Sequence, residues 1–377
     1  MIDKSICFIS RYAHYVLLNK TEVKIGGAEI QQAIIAKELQ KVGWKVKFIT
    51  QRYDGKSIID INGIQIYPVL DFIKTKSFIL RFLTIPYQLF RAIKLSHARI
   101  IYQRNPGSYS FFIAVFCKLL RKKFIIAGGS DTNFMPGKEL NVNSFLDRLE
   151  IKYGLQLADT IILQNQRQRH LLELNFNRRG PVLNNVYEPQ ISMQNDKTQL
   201  SIKKKLLWVG RLSYEKRPEL YLDLASNLKD FEFIMVGGKT HKKSFSKEII
   251  NRASSISNLT YMGHLPVNQV ESLISQTDCL INTSANEGFP NTFLQAWSQG
   301  KPVFSFVDPD NLIAKNQLGA VAQSVPDMAA RITQFLIDSD GYALRSKHIV
   351  TFFNQNFRAS SRIKDIEKVL LISNRNK

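Results

Sequence analysis

The chain alternates strand-like and helix-like patterns in two successive series, and this limits the folds open to it more than any other feature. In the first series, apolar runs at 5–10, 45–50, 64–69, 99–103, 123–127 and 159–163 read as strands. Helical spacing occupies 26–39, 77–95, 108–121, 143–157 and 165–175. Ile30, Ile34 and Leu39 line one side of the first helix, and Pro86 is expected to bend or divide the second. From Asn185 to about Lys203 the pattern lapses into polar residues, which reads as a linker. A second series follows, with strands near 204–209, 231–236, 258–262, 278–282 and 302–306 and helices near 217–228, 243–255, 267–276, 290–299 and 326–338. Such alternation implies right-handed crossovers and parallel sheets. The expected fold class is α/β, two Rossmann-like doubly wound domains, for which 377 residues are ample.

Two stretches of the second series carry chemistry. In the first, Ser284-Ala-Asn-Glu-Gly-Phe-Pro-Asn-Thr-Phe-Leu-Gln-Ala-Trp297, a short strand gives way to a helix that Gly300 and Pro302 end. Glu287 therefore sits in a strand-to-helix turn at the carboxyl edge of a sheet, where open α/β folds bind ligands. Glu287 and Gln295 are about two helical turns apart and can face one cleft. In the second, Trp208-Val-Gly-Arg-Leu-Ser-Tyr-Glu-Lys-Arg-Pro218, a strand ends in Gly210, where backbone can approach a ligand closely. Arg211 and Lys216 then precede a helix that Pro218 helps to start. Two cations beside a helix N-terminus suit a diphosphate.

Together these stretches resemble the retaining glycosyltransferases of family 4, which have the GT-B fold: two Rossmann-like domains facing a central cleft. The first matches that family's element of two glutamates separated by seven residues, with Gln295 in place of the second. The second matches its Gly-Arg-Leu … Lys loop. The resemblance implies that Glu287 orients the sugar of a nucleotide diphosphate donor, Gln295 its ribose, and Arg211 and Lys216 its diphosphate. Gln295 can still accept from a hydroxyl but carries no charge. Arg217 is the weaker candidate for the loop cation. By the same resemblance Gly263 and His264 meet the nucleobase through backbone. Gly288 and the N–H groups of Phe289, Asn291 and Thr292 meet the donor sugar, and Gly26 and Gly27 face the donor phosphates. Asp131, in Gly128-Gly-Ser-Asp131, is the candidate for orienting the acceptor hydroxyl, although a helix-capping aspartate fits that turn nearly as well. Val182-Leu-Asn-Asn-Val186 resembles the turn before the family's linker, with Asn185 where glycine is usual.

The implied layout is an acceptor-binding domain over 1–188, a linker over 189–202 and a donor-binding domain over 203–353. A terminal helix of about 354–377 is expected to pack back on the first domain. The implied reaction moves a hexose from a nucleotide diphosphate sugar to a glycan hydroxyl, with retention. Fixed cations at the departing diphosphate would make a divalent metal unnecessary, and no cofactor is expected. Asp308-Pro-Asp310 and Asp338-Ser-Asp340 lie away from the other elements and read as turn and helix-cap residues. The full Gly-X-Gly-X-X-Gly pattern is missing near Gly26, which argues against a dinucleotide cofactor. His14 and His264 read as polar loop residues.

Charge bears on partners. The net charge is +21, and residues 72–130 carry eleven Lys/Arg and no acid. Interleaved with Phe78, Leu80, Phe82, Leu83, Ile85, Leu89 and Phe90, this block reads as a face for an anionic membrane surface rather than for nucleic acid. No apolar run is long enough to span a bilayer, and Met1–Ile9 reads as the entry to a strand rather than a leader. Cys7, Cys117 and Cys279 lie in apolar runs and read as free buried thiols of a reducing cytoplasm. The expected location is therefore the cytoplasmic membrane face, and the expected acceptor a lipid-linked glycan of cell-surface polysaccharide or lipopolysaccharide assembly. Two other readings stand beside this one: a catalytically silent nucleotide-sugar binder, suggested by Gln295, and a basic nucleic-acid-binding protein, suggested by charge but lacking any reader motif.

Overall fold

A computed structural model of the chain describes residues 4–18, 26–52, 58–70, 78–107, 109–137, 145–189, 203–240 and 243–372. It divides into two compact units, Met1–Val186 with Arg362–Lys377, and Tyr187–Ser361. Residues 190–202 of the expected linker lie outside the described residues.

The first unit contains strands β1 (Ser5–Ile9), β2 (Lys45–Gln51), β3 (Ile59–Ile61), β4 (Ile64–Leu70), β5 (Ile100–Arg104), β6 (Lys123–Ala127) and β7 (Thr160–Ile162). They form one sheet in the order β3-β4-β2-β1-β5-β6-β7, parallel throughout except for β3. β3 was not expected. It pairs with β4 through a turn at Asn62 and Gly63, both at positive φ, the conformation that suits a two-residue hairpin. Strands buried on both faces favour apolar residues at successive positions, which is why Ile6–Ile9, Ile100–Tyr102 and Phe124–Ala127 are apolar runs within β1, β5 and β6.

Several helices depart from expectation. Phe78–Leu95 runs as one helix with Pro86 inside it, because Ile85, Leu89, Ala92 and Ile93 hold it against the core. The helix Gly27–Lys41 turns Gln31, Gln32, Ile35, Ala36 and Leu39 inward, leaving Ile30 and Ile34 only half-buried. Its glutamines are satisfied by backbone: Gln31 donates to the Val186 carbonyl at 2.7 Å and accepts from the Val186 N–H at 3.2 Å. His14 lies in a short helix, Ala13–Leu17, buried against the Tyr15 ring, and not in a polar loop. The end of the chain forms two helices, Ser339–Asn356 and Ala359–Leu371. The second completes the first unit. Glu367 accepts from Lys4 Nζ at 2.8 Å and from Trp44 Nε1 at 2.7 Å, and Lys123 donates to the carbonyls of Leu370 and Ile372.

The second unit contains β8 (Lys205–Val209), β9 (Glu232–Val236), β10 (Leu259–Tyr261), β11 (Cys279–Asn282), β12 (Val303–Ser305) and β13 (Gly319–Val321). Their order is β10-β9-β8-β11-β12-β13, all parallel. This is the doubly wound Rossmann order, with winding reversed between β8 and β11. Its core gathers Trp208, Tyr221, Phe233, Met235, Ile281 and Phe304. All three cysteines are free and buried. Among the described residues no helix is long and apolar enough to cross a membrane.

Candidate active site

In a doubly wound sheet a crevice opens where neighbouring strands send their connections to opposite faces, at the strands' carboxyl ends. In the second unit that place lies between β8 and β11, the strands that lead into Gly210–Pro218 and Ser284–Trp297. Topology thus brings together two motifs far apart in sequence.

The two loops are joined by hydrogen bonds. Trp208 Nε1 donates to Thr283 Oγ1 at 2.9 Å, and that hydroxyl donates to the Lys216 carbonyl at 2.6 Å. Ala285 N–H donates to the Glu215 carbonyl at 2.9 Å. Arg217, at positive φ, donates to the carbonyls of Thr283 and Ser284 and lies over the Phe306 ring. Its guanidinium is therefore committed to structure, which leaves Lys216 as the loop cation.

Glu287 is the centre of the site. Its Oε1 accepts from Lys216 Nζ at 2.5 Å, Ser284 Oγ at 2.6 Å and Asn282 Nδ2 at 3.2 Å. Its side chain is 12% exposed. Burial pushes the carboxyl up, but Lys216 and the three hydrogen bonds together hold it below the ordinary carboxylate value. Glu287 is thus a fixed anion with a fixed counter-cation. All three donors meet Oε1, and among the described residues none is found on Oε2, so a ligand hydroxyl can use it. Arg211 differs from Lys216: it is exposed, and its side chain has no hydrogen bond or ion pair among the described residues.

Backbone forms the rest of the edge. Gly210 N–H donates to Val236 O, Gly237 N–H to Gly263 O and Leu212 N–H to Gly238 O, which continues the strand pairing past the ends of β8 and β9. A Cβ on Gly237 would lie 2.0 Å from the Gly210 carbonyl oxygen, so only glycine fits. Gly263 has φ 71 and open space beside it, and His264 next to it is exposed. Gly288 and Phe289 are buried, and the Phe289 ring packs on Phe357 at 5.4 Å, so only its backbone can serve a ligand. Asn291 and Thr292 open the helix Asn291–Ser298, in the turn whose N–H groups lack acceptors within their own helix. Gln295 is 6% exposed, on the buried side of the helix Asn291–Ser298.

Gly26, Gly27 and Asp131 belong to the first unit. Gly26 caps the helix Gly27–Lys41, and both glycines are exposed. Asp131 is 2% exposed and opens a 3-10 turn capped by Ser130. Its carboxylate accepts from Asn165 Nδ2 at 3.3 Å and lies 3.4 Å from Arg167 Nε. Asn185 is also buried, with Oδ1 accepting from the Arg104 guanidinium at 2.6 Å. Asp308 accepts from the N–H groups of Ile313 and Ala314, and Asp338 caps the helix Ser339–Asn356. Among the described residues no group of three or more His, Cys, Asp or Glu is placed to hold a metal.

Sequence reading missed three pairs of residues. Gly237 and Gly238 end β9 at the same sheet edge, and a glycine pair after an apolar run was the available signal. Ser284 and Asn282 stood inside the motif but were given no role. Glu271 and Tyr187 gave no signal.

Residues 192–348 match the family described as "Glycosyl transferases group 1". Sucrose-phosphate synthase from Thermosynechococcus elongatus superposes with a TM-score of 0.75 at 15% identity, over 97% of this chain and 98% of that one. A glycosyltransferase from Rickettsia africae ESF-5 superposes over the whole of both chains, with a TM-score of 0.74 at 14% identity. The catalytic domain of starch synthase IV from Arabidopsis thaliana, bound to ADP and acarbose, gives 0.72 at 11% identity over 97% and 98%. Compared by sequence with curated proteins, the chain has no match. Residues 192–348 are thus similar to the group 1 glycosyltransferases, and the fold of the chain is GT-B.

Proposed function

We propose that the chain is a retaining, metal-independent glycosyltransferase that moves a sugar from a nucleotide diphosphate sugar to a glycan hydroxyl. The observation that carries this reading is the Lys216–Glu287 pair, 2.5 Å apart at the switch point, with the uncommitted Arg211 on the same loop. Arg211 and Lys216 take the diphosphate. Glu287 Oε2 accepts from a hydroxyl of the donor sugar, and the first turn of Asn291–Ser298 offers N–H groups to the others. Gln295 accepts from the ribose, and backbone near Gly263 and His264 meets the base. For Gly26, Gly27 and Asp131 the assigned roles rest on resemblance alone.

Breaking the sugar–phosphate bond leaves positive charge at the anomeric carbon and adds negative charge to the departing oxygen. Cations held at that oxygen stabilise the transition state more than the ground state. The acceptor oxygen attacks from the face the diphosphate leaves, and its proton passes to the departing phosphate oxygen. Lys216 is already neutralised by Glu287, so the added charge on the leaving group meets Arg211 as its uncompensated cation.

The acceptor reading, a lipid-linked glycan at a membrane, draws on the first unit. Tyr87, Leu95, Leu119, Phe145, Leu146 and Tyr153 are exposed there, among exposed Arg91, Lys94, Lys118 and Arg121. Ring contacts run from Phe90 through Phe116, Phe112 and Phe111 to Tyr153. Not every cation of the basic block is available, since Arg104, Lys122 and Lys123 bond to Asn185 or to backbone carbonyls. Lys74 and Lys76 lie outside the described residues.

Thermal melting with UDP, GDP, ADP and CMP in turn, with and without EDTA, tests the donor reading. One diphosphate should stabilise the protein regardless of EDTA, and Arg211→Ala should abolish the shift; a ligand at about 100 times its Kd adds roughly 2.7 kcal/mol. Failure of every nucleotide to stabilise it would refute the donor site. A second reading, a silent nucleotide-sugar binder, draws on Gln295 standing in place of the second glutamate. Binding without release of nucleoside diphosphate from any donor, with any acceptor, would favour it.

A further inference from the structure

The first sheet has a switch point of its own. Its strand order, β3-β4-β2-β1-β5-β6-β7, reverses direction between β1 and β5, and a crevice opens at the carboxyl ends of such a pair. β5 ends in Arg104, so a guanidinium stands at this place. Arg104 is half-buried, and among the described residues no carboxylate pairs with it. Its Nη2 donates to Asn185 Oδ1 at 2.6 Å. Turned so that its oxygen faces the donors around it, the Gln164 amide meets the same nitrogen at 2.5 Å. These bonds keep Arg104 out of the exposed basic face, yet they spend only one of the three nitrogens in the fork.

Asn185 is 5% exposed and stands where the resembling family usually has glycine. Its φ is not positive, so the local backbone does not demand glycine and carries the side chain without strain. The turn around it is fixed from both sides. Asn184 Nδ2 donates to the Gln164 carbonyl at 2.7 Å, and Val186 exchanges two hydrogen bonds with the Gln31 amide, at 2.7 and 3.2 Å. Asn185 Oδ1 therefore holds Arg104 in one orientation. An acid at 185 would neutralise the arginine, whereas an amide orients it and leaves its charge. A guanidinium half-sheltered from water and held by neutral groups gains from an oxyanion the pairing that no side chain supplies. Asp131, at the end of the next strand, is engaged elsewhere, with Asn165 Nδ2 at 3.3 Å and Arg167 Nε at 3.4 Å.

We propose that Arg104, positioned by Asn185, is the anion-binding residue of an acceptor site in the first unit, and that the acceptor is a glycan carrying an oxyanion, either phosphate or carboxylate. This rests on the glycosyltransferase reading above and narrows its acceptor. The planar fork takes two oxygens of such a group side by side. The oxyanion has no part in bond breaking, so Arg104 contributes to affinity and to the choice of acceptor.

The test compares the full chain with Arg104→Gln, Asn185→Gly and Arg211→Ala. Ligand-observed NMR measures binding of glucose 6-phosphate, glucuronate and glucose, and calorimetry that of UDP, GDP, ADP and CDP. At least one anionic sugar should bind wild type about 10-fold or more tightly than glucose does, the worth of a hydrogen bond to a charged group. Arg104→Gln should reduce it to the level of glucose, Asn185→Gly should weaken it about 3-fold or more, and Arg211→Ala should leave it unchanged. Nucleotide affinity should fall in Arg211→Ala and hold in the other two. Preference for glucose 6-phosphate identifies the oxyanion as phosphate, and preference for glucuronate as carboxylate. Anionic sugars that bind no better than glucose, or as tightly to Arg104→Gln as to wild type, would overturn the proposal and leave the donor site standing. So would an Arg104→Gln that loses nucleotide affinity as well, since Arg104 would then belong to the donor. If Arg104→Gln does not fold, Asn185→Gly decides: normal melting with wild-type affinity for the anion overturns the proposal. No nucleotide binding by wild type would overturn both readings, since an acceptor site needs a donor.

Discussion

Arg217 donates from Nε to the Thr283 carbonyl oxygen at 2.7 Å, while its Nη2 reaches the Ser284 carbonyl at 3.0 Å. One planar fork thus joins the loops after β8 and β11. Arg217→Ala should cost about 1–3 kcal/mol in urea unfolding, since two carbonyls lose a charged donor. Arg217→Lys should recover little, because an ammonium cannot span both carbonyls in a fixed plane. A lysine variant as stable as wild type would show that charge, not the fork, is what matters.

Glu287 links the site to pH. Its carboxyl is held below its ordinary value, so the folded chain binds fewer protons than the unfolded chain in the acid range. The resulting stability is fully present above about 4.5 and is lost as pH falls through the depressed value. Glu287→Gln removes this component. The melting-temperature gap between the two proteins should be widest at neutral pH and close in acid. Transfer activity of the variant should fall about 100-fold or more, the scale of losing one fixed polar group at a reacting centre.

Arg211 should separate binding from folding. It is exposed and uncommitted among the described residues, so Arg211→Ala should change stability by no more than about 0.5 kcal/mol. Affinity for the nucleoside diphosphate should fall roughly 10-fold or more, as expected for a hydrogen bond to a charged group. Equal binding by the variant in calorimetry would assign the diphosphate elsewhere.

Much of this was legible beforehand, and what was not had physical causes. Unbroken apolar runs gave the central strands, because burial on both faces demands them. The hairpin at Asn62-Gly63 was also written in the sequence, as a turn-forming pair between alternating residues, and was passed over. β13 is only three residues long, too short for any period. Gln31 and Gln32 are buried because backbone groups elsewhere satisfy them, which no local pattern reveals. Lys216 and Glu287 were identified separately, but their contact spans 71 residues and depends on the order of strands in the sheet. The 84-residue link from Tyr187 to Glu271 is non-local in the same way.

The basic and aromatic face of the first unit gives a physical test of membrane docking. Arg91, Lys94, Lys118 and Arg121 are exposed, and changing all four to Glu should sharply reduce sedimentation with phosphatidylserine vesicles. Wild-type binding should weaken as salt rises. Unchanged sedimentation of the variant would remove the membrane argument.

The helix Ala359–Leu371 sets the order in which the protein can be made. Trp44 and Lys4 find their Glu367 partner only after the 175 residues from Tyr187 to Ser361 have been synthesised. Until then the nascent first unit lacks its closing segment and the polar partners that go with it. A fragment of 1–186 should therefore be less stable than the same residues in the full chain and should gain protection from an added peptide of 359–372. During translation the second unit has every contact of its own available before the first is finished, so the portion begun first is the portion completed last.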